Sequence, residues 1–70
     1  MQLFQVEKIL KHKGTKARRV QMEFRVKWLG YDDSDNSWVK WKDISHNALL
    51  HNYLREHNMA TIIPPQYTRA

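Results

Sequence analysis

Val20, Met22, Phe24, Val26 and Trp28 alternate with Gln21, Glu23, Arg25 and Lys27. Successive side chains of an extended chain point to opposite faces, so this run predicts a strand with one buried and one wet face. Upstream, residues 4 to about 11 are apolar and β-prone. Phe4 and Val6 keep the period of two, but the adjacent Ile9 and Leu10 break it, which predicts a bulge or a strong bend. Lys13-Gly14-Thr15-Lys16 reads as the turn between these two strands. Gly30 ends the second strand, and residues 32–36 have turn-forming composition. Residues 37–42, with Trp38 and Trp41, read as a third short strand, with Trp38 in the core and Trp41 packing helix against sheet.

The period then changes. Leu49, Leu50, Tyr53 and Leu54 fall on one face of a helix, leaving Asn47, His51, Asn52 and Arg55 toward water. Ser45 is the expected N-cap and the helix runs to about residue 57. Pro64-Pro65 ends regular structure, residues 59–63 form a short apolar extension laid on the body, and residues 66–70 fray. The predicted fold class is α+β: a three-stranded antiparallel curved sheet, an SH3-like partial barrel, packed against a C-terminal helix. Three strands backed by a helix are about the minimum that stands alone.

Seventy residues make one domain at most. A chain this short buries only about 60% of its unfolded surface, so its aromatic residues carry much of the core. There is no Cys, which excludes disulfides and thiolate metal sites. His12, His46, His51 and His57 lack metal-site spacing, so no metal and no cofactor is expected. Ser34, Ser37 and Ser45 have no base beside them in a triad-like pattern, and no Gly-rich phosphate loop exists. The expectation is a binding module rather than an enzyme. No apolar run approaches the roughly 18 residues of a membrane span, so no membrane partner is expected.

The net charge of +5 points to an acidic partner or environment. It is uneven: Lys8, Lys11, Lys13, Lys16, Arg18 and Arg19 fall in one stretch with no acid among them, while Asp32, Asp33 and Asp35 make a separate acidic spot. That spot lies between Trp28 and Tyr31 on one side and Trp38 on the other. Aromatic faces beside carboxylates suit an organic cation, at about 0.5–2 kcal/mol per ring. The basic stretch, where it is more than a solvated hairpin, suits nucleic-acid phosphates through Lys11, Lys13, Lys16, Arg18 and Arg19.

Four motifs in order, Phe4-x-Val6-Glu7-Lys8-Ile9-Leu10, Phe24-x-Val26-Lys27-Trp28-x-Gly30-Tyr31, Asp35-Asn36-Ser37-Trp38 and Leu49-Leu50-x-x-Tyr53, resemble the chromodomain. The resemblance covers residues 4–57, with residues 1–3 as an N-terminal extension and 58–70 as a C-terminal, partly disordered one. Trp38-x-x-Trp41 followed by Leu50-His51-x-Tyr53-Leu54-Arg55 is similar to chromodomains behind the integrase of LTR (gypsy-type) retrotransposon polyproteins. Heterochromatin-protein readers share most of the same residues.

The resemblance implies a nuclear reader of methylated lysine in the histone H3 tail, monomeric as an isolated domain. It implies a cage of Phe4, Trp28 and Tyr31, with Asp35 as the acidic group beside it, Asn36 contacting the peptide and Asp33 on the same loop. It further implies a peptide strand lying between Gln5-Val6-Glu7 and residues 39–43, with Val39 and Asp43 as contacts. The family usually has Glu-Pro after the second Trp. Here Val39-Lys40 replaces it, which removes attraction for a basic tail and places a cation nearby, while Asp43 restores some negative charge. The alternative reading is a nucleic-acid-binding member that uses the basic stretch on nucleosomal DNA or RNA.

Overall fold

The computed structural model describes residues 4–68. β1 (Val6–Lys13), β2 (Glu23–Trp28) and β3 (Ser37–Lys40) form one antiparallel sheet in the order β1-β2-β3. A helical turn α1 (Trp41–Ile44) and the helix α2 (Ala48–Glu56) follow, giving the expected α+β architecture. Phe24 and Val26 of β2 point inward and are fully buried, while Glu23, Arg25 and Lys27 face outward. α2 covers the inner face with Leu50, Tyr53 and Leu54, and Met22, Ile9, Trp41 and Ile44 complete that layer.

The break at Ile9 and Leu10 has its physical expression in β1. Register shifts fall between Val6 and Lys8 and between Ile9 and Lys11, so two residues of β1 twice oppose one of β2. Such bulges bend a strand and increase its twist. Gly14 and Gly30 both have positive φ, +94° and +85°. At Gly14 a Cβ would also sit 3.2 Å from the Met22 Cα, so both backbone conformation and space favour glycine there.

Several expectations fail locally. Val20 does not belong to β2: Lys16–Gln21 winds into 3-10 turns, held by Arg18 N–H to Thr15 O and Met22 N–H to Arg19 O, and leaves Val20 74% exposed. β3 stops at Lys40. Trp41 N–H still donates to Met22 O at 3.1 Å, and then α1 turns the Trp41 ring into the core beside Phe24. Trp38 is not core; it lies half-buried on the outer face of the sheet. Ser45 ends α1 in helical conformation, so it cannot cap the next helix. Asn47 does so, its Oδ1 accepting from the N–H groups of Leu49 and Leu50 at 2.8 and 3.2 Å.

On α2, Leu49 is exposed, whereas His51, expected toward water, is only 4% exposed. Its Nε2–H donates to Ser45 O at 2.7 Å, and its ring lies 4.8 Å from Tyr67. Beyond the helix, Met59, Ile62 and Ile63 fold back into the core, as the apolar extension requires. Arg19 ties this segment down by donating to Ile62 O at 2.9 Å. Pro65–Tyr67 adds a further 3-10 turn. Tyr53 joins helix to sheet: its hydroxyl lies 2.8 Å from His12 Nδ1, and burial raises its pKa above the ordinary phenol value. No helix among the described residues is long and apolar enough to cross a membrane.

Candidate functional site

The end of β2 and the arm before β1 meet at one corner of the sheet. Val6 pairs with Trp28, and Gln5 O accepts from Leu29 N–H at 2.8 Å, which draws Phe4 over the strand end. The Phe4 ring then lies 5.7 Å from Trp28 at 58° and 5.4 Å from Tyr31 at 45°. Tyr31 reaches this position because Gly30 takes a left-handed turn, closed by Tyr31 N–H to Trp28 O at 3.1 Å. Phe4 and Tyr31 remain 47% and 45% exposed. Large apolar rings held tilted and open to solvent in this way are a prepared surface rather than a packed core.

These three rings, with Asp35 and Ser37, line a cavity of about 420 Å³. Asp35 comes from a 3-10 turn, Asp33–Asp35, anchored by Asp35 N–H to Asp32 O at 2.9 Å. Ser37 is a site residue that the sequence reading missed. Its Oγ accepts from Trp28 Nε1–H at 2.8 Å and so fixes the indole orientation. Asp33 is exposed on the same turn and does not line the cavity. Asn36 lines neither this cavity nor the next. Its Oδ1 is buried and has no hydrogen-bond partner among the described residues, a state that typically costs about 1–3 kcal/mol.

A second cavity of about 440 Å³ continues past Phe4 and Trp28. Gln5 and Val6 form one wall; Val39, Asp43 and Ile44 form the other, with His46 and Asn47 at the end. Four of the five residues expected to flank the peptide strand therefore face one trough. Glu7 does not: its carboxylate accepts from Lys27 Nζ at 3.0 Å, away from the trough. Lys40, the cation that the sequence places near the tail, lines an adjoining hollow that shares Trp28, Val39 and Asp43 with the trough. Ile44, His46 and Asn47 enter the trough only because α1 turns the chain there, which a third strand through residue 42 would not do.

The basic stretch does not form one patch. Lys11 and Lys13 lie over the Trp38 ring, Lys16 Nζ donates to Asn58 O at 3.4 Å, and Arg19 lies over Trp41 while holding Ile62 O. Arg18 is exposed. Among the described residues no group of His, Cys, Asp or Glu is arranged to hold a metal ion.

Residues 4–56 match the family model of the Chromo (CHRromatin Organisation MOdifier) domain. The chain is similar to the Chromo domain-containing protein cec-1 of Caenorhabditis elegans, with 41% identity over 49 residues. That match covers 70% of this chain and 15% of cec-1. It is also similar to the histone-lysine N-methyltransferase SUV39H1-A of Danio rerio, 32% identical over 59 residues, 84% of this chain and 14% of that protein. The chain thus spans about one seventh of the length of these relatives. No solved structure matches it significantly.

Proposed function

We propose that this chain, which belongs to the chromodomain family and so to a class of chromatin-reading modules, takes the methylated tail of histone H3. The methylammonium enters the hollow bounded by Phe4, Trp28 and Tyr31, with Asp35 supplying negative charge. A methylated ammonium has lost N–H donors and hydration, so π-faces hold it better than they hold unmodified Lys. The tail backbone lies as an added strand in the trough between Gln5-Val6 and Val39 to Asp43. Main-chain hydrogen bonds there give affinity, and alternate side chains give selectivity.

One observation carries this reading: three tilted rings from two separate segments converge on a single open cavity with a carboxylate in its wall. Rings contributing about 0.5–2 kcal/mol each imply micromolar rather than nanomolar affinity. The module acts as a single copy in the nucleus, without catalysis of its own. It steers a retroelement integrase or a chromatin protein toward heterochromatin, and the Trp38-x-x-Trp41 variant supports the integrase setting.

Calorimetric titration with methylated and unmethylated H3-tail peptides tests the reading. The methylated peptide binds more tightly, and Trp28→Ala removes most of that difference, up to roughly thirtyfold for a ring worth about 2 kcal/mol. Equal affinity for the two peptides, or an unchanged preference in Trp28→Ala, would overturn it.

A further inference from the structure

The outer face of the sheet carries a second constellation, turned away from the core. Cross-strand pairing sets Lys11 opposite Arg25 and Arg25 opposite Trp38 in one row. In the next row Lys13 stands opposite Glu23 and Glu23 opposite Lys40. Side chains of both rows emerge on the same face. Lys13 Nζ lies 4.5 Å from the Trp38 ring centroid, Arg25 Cζ 5.7 Å and Lys11 Nζ 5.9 Å.

One indole therefore gathers three cations, each attracted by only about 0.5–1 kcal/mol at an exposed site, while like charges side by side repel. Glu23 offsets little of this, since it reaches Lys13 at 3.9 Å across an exposed surface. A cluster of this kind is most favourably neutralised by a polyanion. We propose that the rows Lys11-Arg25-Trp38 and Lys13-Glu23-Lys40 form a docking face for the phosphate backbone of duplex DNA, without regard to base sequence. Trp38 acts as the post over which the cations are ordered. Half-buried and covered by them, it presents a poor platform for stacking an unpaired base, which favours duplex over single-stranded nucleic acid.

The face is independent of the tail-binding reading. Lys11, Lys13 and Arg25 line neither the ring cavity nor the trough, and Trp38 and Lys40 reach only the hollow beside it, so a tail and a duplex can be held at once, side by side. It also differs from the contiguous basic stretch, because Arg25, Trp38 and Lys40 lie outside that stretch and Lys16 and Arg19 are engaged with the C-terminal segment.

Fluorescence anisotropy with a labelled mixed-sequence duplex of about 20 base pairs tests it on the intact chain. Three or four phosphate contacts predict that Kd rises about 40- to 150-fold between roughly 50 and 200 mM salt. Lys13→Ala combined with Arg25→Ala lowers that salt slope by about two contacts, with an unchanged melting temperature reporting an intact fold. Trp38→Leu weakens binding less steeply, by releasing the cations without removing them. Absence of duplex binding at about 50 mM salt, a double variant that binds like wild type, or loss confined to Arg18→Ala would each overturn the proposal.

Discussion

At the scale of single residues, the ring cavity depends on a side chain that recognises nothing itself. Ser37 Oγ holds the Trp28 indole N–H, and the partners are nine positions apart across the acidic turn. Ser37→Ala leaves that N–H to water and lets the indole turn. The expected loss is about 1 kcal/mol, near fivefold in methylated-peptide affinity, with little change in melting temperature. Calorimetry and a thermal scan separate the two effects. This role was not legible in the sequence, because a serine that opens a predicted strand does not show which side chain its hydroxyl will meet. Trp28, Tyr31 and Asp35 were legible as a local cluster of aromatic and acidic residues, whereas distant Phe4 joined them only through the family pattern. His51 was misread for a physical reason: helical periodicity shows which face is apolar, but not that a carbonyl at Ser45 and a ring at Tyr67 will enclose an imidazole.

Among the elements, the central strand was read correctly from Glu23 to Trp28 and over-extended back to Val20. Period-two alternation continues through Val20, but the segment coils into 3-10 turns instead, with the Arg19 side chain bonded to the distant Ile62 O. The same competition decides the helix start. Ser and Asn are about equal as N-caps, so local preference cannot choose between Ser45 and Asn47. The choice follows from α1, which buries Trp41 and leaves Ser45 in helical conformation. Asn47→Ala therefore costs about 1 kcal/mol, within a range of 0.5–2, as two N–H groups lose their acceptor. Ser45→Ala changes stability little, since the backbone carbonyl of Ser45, not its hydroxyl, is the group engaged. Urea unfolding of the two variants makes the comparison directly.

On the scale of the whole molecule, the family match ends at residue 56, yet the core does not. Met59, Ile62 and Ile63 are buried, each worth about 1.5–3 kcal/mol of apolar transfer. A small domain has only about 5–15 kcal/mol in total, so ending the chain at His57 removes much of its margin. Circular dichroism melting of that truncated chain should show a large fall in melting temperature or no cooperative transition. The architecture was legible from three strands and one amphipathic helix, whereas the outer face of the sheet was not, because it depends on which strand residues become neighbours. The surplus residues of β1 show how shape can be stored separately from composition. If Leu10 were excised, Ile9 would still meet Val26 and Lys11 would still meet Arg25, so every cross-strand partner would survive. What would go is one of the two kinks. The bulge at Glu7 would stay, but the arm would leave the sheet at a changed angle, and a well-folded protein would present its rings in a hollow of different shape.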